Sequence, residues 1–279
     1  MSLFSIRLLI IFTSLLSSIE SINEWKSEEK FCENILKPCN CFVDAQTNLL
    51  SVHCKGDDKI NNLDQILKRI AQTIDNIQFD ELILENFTQI KMIDFTQIQQ
   101  VPIKTIRIFD CNHLELLINK NSNKNSTQLA KSLIELELAG NIAIDSDRLF
   151  EFLYTFSRLR SIILSSINYR KIPVLNHTNK CLPWKRLVFN HRCTKNQKQP
   201  LTIDRSDQFI NLCNIRWLDL SCMNLQHLNR MAILKLCQHL NATTTKGSKL
   251  HLDLSYNPLL NIDQWAKDGY DERLLHIEF

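Results

Sequence analysis

Ten cysteines are the most reactive side chains of this 279-residue chain, and four of them, Cys32, Cys39, Cys41 and Cys54, crowd into one short stretch. The C-x-C step puts Cys39 and Cys41 two residues apart, on the same side of an extended segment. Leu50, Val52 and Cys54 alternate like one face of a strand. Two bridges among these four would tie the strand to the segment around Pro38, and the spacing alone permits three pairings. A zinc site is the rival chemistry, but the usual C-x₂-C step is missing. His177 and His191 flank Cys181 and Cys193, yet no ligand set converges around them in sequence, so they read as loop histidines. Asp219 and Asp253 occupy equivalent places in two Leu-Asp-Leu-Ser segments and could be paired carboxylates; the duplication of the segment makes them ordinary repeat residues instead. The four glycines, Gly56, Gly140, Gly247 and Gly269, are too far apart for either phosphate-binding loop. No H-E-x-x-H and no C-x-x-C occurs. Nothing assembles a nucleophile, a base and an orienting group. The expectation is a protein that is not an enzyme, with no cofactor and no metal.

The elements that carry these residues begin with a leader. Residues 1–21 read as a signal peptide: Arg7, then the apolar run from Leu8 to Leu16, then Ser17, Ser18 and Ser21 as small residues for cleavage. The run is too short to span a bilayer, and no later stretch approaches the length a spanning helix needs, so no transmembrane segment is expected. The cysteine count and four N-x-Ser/Thr sequons, Asn86, Asn125, Asn176 and Asn241, agree with a secreted, extracellular location. Basic and acidic residues nearly balance, 33 against 30, which gives no reason to expect nucleic acid as a partner.

An internal repeat decides the fold class. Ile103, Ile106, Ile108, Cys111 and Leu114 recur as Leu133, Leu136, Leu138, Asn141 and Ile144. Partial copies follow the same spacing from Phe79, Leu159, Trp184, Ile215 and Leu252. The first strand residues fall at 82, 106, 136, 162, 187, 218 and 252, and the longer intervals hold polar insertions. The alternation points two aliphatic side chains inward from a short strand, and the Asn or Cys sits where the backbone bends, able to satisfy buried amides. A single coil cannot bury its apolar side, but stacked coils can. Helical stripes fill the other side: Leu63, Ile66, Leu67, Ile70 and Ile74; Leu149, Phe152, Leu153 and Phe156 after a cap at Asp145 or Ser146; and Met231, Leu234, Cys237 and Leu240.

This pattern, L-x-x-L-x-L-x-x-N/C-x-x-L, resembles the leucine-rich-repeat family. The C-xₙ-C-x-C-xₙ-C stretch resembles the amino-terminal cap of its extracellular members. The resemblance implies an α/β leucine-rich-repeat solenoid, with a curved parallel sheet on its concave face and helices and turns on its convex face. It also implies the cap pairing Cys32–Cys41 and Cys39–Cys54. On this reading residues 22–61 form the cap and 62–279 a solenoid of about seven to eight repeats. The chain is broadly similar to secreted arthropod members, among them the non-catalytic component of the shrimp luciferase complex. The carboxyl end departs from the family pattern, because no closing cysteine cap is visible.

Strand alignment brings Cys193 close to Cys222, within reach of a bridge, and Cys181 and Cys213 within one position of each other. Cys111 fills the Asn/Cys position and is expected to be a buried free thiol. Outward strand residues should line one continuous face. Along it Arg160, Lys185, Arg186 and Arg216 form a basic run beside Trp217, residue types favoured at binding hot spots. The expected partner is an extracellular protein or glycan bound through this face. The alternatives are a non-catalytic subunit of a secreted enzyme complex and an ectodomain fragment of a receptor resembling Toll-like or chaoptin-type proteins.

Overall fold

The computed structural model describes residues 39–43, 49–56, 63–73, 79–119, 127–140, 142–165, 181–189, 201–243, 249–257 and 275–278. Residues 1–21, expected to be a leader, and Cys32, Cys193, Asn125, Asn141, Asn176, His177 and His191 lie outside the described residues. The strands are β1 (Cys39–Val43), β2 (Leu50–Lys55), β3 (Phe79–Glu85), β4 (Met92–Asp94), β5 (Ile103–Phe109), β6 (Leu116–Ile118), β7 (Glu135–Ala139), β8 (Ser161–Ser165), β9 (Arg186–Val188), β10 (Leu201–Ile203), β11 (Trp217–Asp219), β12 (Leu225–Leu228), β13 (Leu250–Asp253) and β14 (Leu275–Glu278). The helices are α1 (Leu63–Thr73), α2 (Gln128–Ser132), α3 (Ser146–Leu153) and α4 (Arg230–Thr243), with a 3-10 turn over Phe95–Ile98.

The protein is α/β. Ten strands form one sheet in the order β1-β2-β3-β5-β7-β8-β9-β11-β13-β14. The β1–β2 pair is antiparallel and every later neighbour in the sheet is parallel. Parallel pairs β4·β6 and β10·β12 make two small further sheets. The segment around Cys54 is not set apart from the repeats, since β2 pairs directly with β3.

One ladder runs through Val52, Leu82, Ile106, Leu136, Ile162, Leu187, Leu218, Leu252 and Ile277, each the register partner of the next. All but Ile277 are fully buried, and Ile277 packs against the same core. Strand alternation dictates this: with Leu82 and Leu84 turned inward, Glu81, Ile83 and Glu85 must face outward, and they are half-exposed. Burying each such aliphatic side chain contributes roughly 1.5–3 kcal/mol, which is why the register is strongly specified.

The chain turns at a recurring left-handed corner. Asn86, Asp110, Gly140, Cys222 and Tyr256 occupy the same place, two residues after the second inward strand residue, and all have positive φ. Their amides continue the ladder: Asn86 N donates to Phe109 O, Asp110 N to Ala139 O, Gly140 N to Ser165 O and Cys222 N to Ser255 O. Four of these corners hold φ between 52° and 59°, whereas Gly140 stands at 103°. A Cβ there would meet Asp110 Oδ1 at 2.6 Å. Gly140→Ala is therefore expected to cost about 1–3 kcal/mol, read as a lowered urea midpoint at unchanged slope.

Next to the last described corner, Asn257 does what the repeat asks of its Asn. Its Nδ2 donates to Leu220 O and Leu254 O at 2.8 Å each, and its Oδ1 accepts from Leu225 N at 2.8 Å. It thus satisfies backbone groups of its own turn and of the turn after β11. Cys111 fills the same place as a buried free thiol, 3.4 Å from Phe109 O, and burial pushes its pKa up to about 11. Such a thiol stays protonated and unreactive at neutral pH.

The helices bury the faces that their spacing implies, with one correction. Leu63, Ile66, Leu67 and Ile70 are buried in α1. Asp145 caps α3, its carboxylate accepting from the amides of Asp147 and Arg148. In α4 the expected stripe of Met231, Leu234, Cys237 and Leu240 is rotated. Met231 is exposed, Leu234 is half-exposed, and Ala232, Ile233, Leu236, Cys237 and Leu240 form the buried side. Two overlapping apolar stripes share Cys237 and Leu240, and helical period alone does not choose between them. No described helix is long and apolar enough to cross a membrane.

Candidate functional site: the outward face of the sheet

The outward residues form two rows across the ten-stranded sheet. The first runs Ser51, Glu81, Thr105, Glu135, Ser161, Arg186, Trp217, His251, His276. The second runs His53, Ile83, Arg107, Glu137, Ile163, Val188, Asp219, Asp253, Glu278. Parallel pairing without a register shift from β3 onward makes each row continuous. Chemistry separates along it into three zones.

The first zone, on β3, β5 and β7, gathers carboxylates around one guanidinium. Arg107 Nε lies 3.0 Å from Glu81 Oε1 and 3.4 Å from Glu137 Oε2, and its Nη2 lies 3.5 Å from Glu135 Oε1. Three carboxylates against one cation leave the zone acidic. Burial raises the pKa of Glu137, Arg107 opposes the shift and Glu135 adds to it. Glu85, nearer the sheet edge, is held below the usual range chiefly by the hydrogen bond from Lys55, at 2.9 Å, with His53 assisting.

The second zone is the basic run. Successive backbone bonds place it: Arg160 N donates to Ile134 O, Lys185 N to Arg160 O, and Arg216 N to Lys185 O. Arg186 and Trp217 are register partners on β9 and β11. The structure therefore brings Arg160, Lys185, Arg186, Arg216 and Trp217 together along the starts of the neighbouring strands β8, β9 and β11. Arg160, Lys185 and Arg186 are exposed, while Arg216 and Trp217 are half-buried. Arg216 Nη1 and Trp217 Nε1 are buried atoms without a hydrogen-bond partner.

The third zone is imidazole and carboxylate. Trp217 stacks on His251 with ring centroids 3.7 Å apart and planes 15° apart. His276 lies next along the row, its ring 5.0 Å from that of His251. His251 Nε2 is 3.3 Å from Glu278 Oε1, and His276 Nε2 is 3.7 Å from the same oxygen. In β14, Leu275 and Ile277 alternate with His276 and Glu278. Their alternation is the signal that would have placed His276 and Glu278 outward, beside His251.

Comparison with protein-family models and with curated proteins returns no match for this chain.

The remaining candidates sort as follows. Asp219 and Asp253 are register partners, yet each carboxylate is engaged in its own turn. Asp219 Oδ1 accepts from Ser221 N at 2.8 Å and Ser221 Oγ at 2.6 Å, and Asp253 Oδ1 from Ser255 N at 2.9 Å and Ser255 Oγ at 2.6 Å. Both are turn-forming carboxylates, in keeping with their reading as ordinary residues of a duplicated segment. Cys39 is bonded to Cys54 and Cys181 to Cys213. Cys41 and Cys222 are also disulfide-bonded, while Cys111 and Cys237 are free and buried. Of the sequon residues, Asn86 takes a left-handed corner and its Nδ2 donates to Gly56 O at 3.4 Å, and Asn241 lies in α4.

Proposed function

We propose that this chain is a secreted leucine-rich-repeat protein that recognises an extracellular protein or glycan with the outward, concave face of its sheet. The observation that carries the reading is the clustering of Arg160, Lys185, Arg186, Arg216 and Trp217 at the starts of the adjacent strands β8, β9 and β11. Four cations and an indole on a rigid parallel frame suit an acidic ligand, because the backbone fixes their spacing before binding and little ordering is left to do. The acidic zone alongside discourages basic partners by repulsion and so adds discrimination. Disulfides and the leader support an oxidising, extracellular setting.

The test replaces Arg160, Lys185, Arg186 and Arg216 together by Glu. Wild-type and variant, matched by circular dichroism, are each immobilised and exposed to extracellular fluid, and retained ligands are identified by mass spectrometry. Loss of capture is expected, with affinity for the identified ligand falling by about thirtyfold or more, the weight of one hot-spot residue. Undiminished capture by the reversed variant rules the reading out.

A further inference from the structure

We propose that His251, His276 and Glu278 form a binding site for a divalent transition-metal ion, zinc in the first instance, at the β13–β14 end of the sheet face. His251 and His276 are register partners on adjacent parallel strands, and Glu278 follows His276 by two residues, which returns it to the same face. One donor atom from each of the three residues lies within 4.8 Å of the others. A tetrahedral zinc ion with bonds of about 2.0–2.2 Å separates its ligand atoms by roughly 3.3–3.5 Å. Of the two nitrogen–oxygen distances, 3.3 Å matches such an edge and 3.7 Å lies just beyond it.

Two further features point to an ion. His251 Nε2 is a buried nitrogen without a hydrogen bond, although a carboxylate oxygen stands 3.3 Å away. A cation between them satisfies both groups. The Trp217 ring lies flat on His251 and fixes the imidazole plane, the orienting task that outer-shell groups perform at metal sites. Imidazole nitrogens with one carboxylate suit zinc, copper or nickel better than calcium or magnesium. Three protein ligands leave a fourth position open to water or to a donor on a bound partner. Trp217 is shared with the recognition proposed above, but none of the three ligands is, so the two proposals are tested separately.

The test titrates the tag-free, disulfide-intact chain with Zn²⁺ alone by isothermal calorimetry, alongside His276→Ala and Glu278→Gln. Both altered residues are surface groups, so the fold survives; unchanged circular dichroism checks this. One Zn²⁺ per chain is expected for the wild type, with affinity reduced by more than about tenfold in each variant, since even outer-shell changes cost 10–100-fold. Absorption of the Co²⁺-substituted protein supplies a second readout, its visible bands weakening in both variants. Equal stoichiometry and affinity in all three proteins, or no Zn²⁺ uptake by the wild type, overturns the proposal.

Discussion

Truncating Trp184 to alanine is expected to destabilise the fold by about 3–5 kcal/mol, the range for a fully buried aromatic residue. The side chain has no exposed surface. It lies parallel to Tyr154, with planes 7° apart and centroids 5.6 Å apart, and tilted against Phe150 at 5.9 Å. Phe150 in turn stacks on Phe189, 6.2 Å away. Removing the indole opens a cavity in the middle of this aromatic group, between elements that are already fixed by the sheet and cannot collapse fully. The indole Nε1 is buried and makes no hydrogen bond, so Trp184→Phe forfeits volume but no polar contact. It should retain most of the stability that alanine loses. Urea denaturation of the three proteins measures this; an alanine variant within about 1 kcal/mol of the wild type would place Trp184 outside the core.

Replacing Cys181 and Cys213 together by serine should cost about 3–4 kcal/mol, because their bridge closes a segment of 32 residues in the unfolded chain. That segment contains β9 and β10, so the bridge ties the approach to β9 to the approach to β11 across the least regular part of the sheet. Cys213 is buried while Cys181 is exposed, so serine leaves an imperfectly solvated hydroxyl at one end only. The loss is read as a lower denaturation midpoint for the double variant under non-reducing conditions. A midpoint equal to that of the wild type would show that the remaining contacts already hold these coils together.

Much of the fold was legible in the residues. Ile106, Leu136, Ile162 and Leu218 were expected on a common parallel ladder, and the register places them there. Period-two alternation with recurring turns leaves little freedom, because a slip of one residue would turn every aliphatic side chain to water. The weak copy at Trp184, Leu187 and Phe189 was also readable, since its three residues keep the inward spacing. The buried side of α4 was not, because its apolar residues outnumber one face. The site was partly legible. Basic residues at equivalent strand positions must become neighbours once the strands pair. The grouping of His251, His276 and Glu278 stayed hidden because it joins residues 25 positions apart through a short final strand. The pairing of Arg107 with three glutamates needed side-chain geometry that no spacing rule supplies.

The order of strands in the large sheet follows their order along the chain. Each strand of that sheet therefore pairs only with the strands before and after it, and the two located bridges, Cys39–Cys54 and Cys181–Cys213, each close a local segment. Damage to one strand is expected to weaken its neighbours first and to fade with distance along the sheet. Drawn apart along that order, the molecule is expected to yield a few strands at a time, so that distant strands keep their pairing after others have given way.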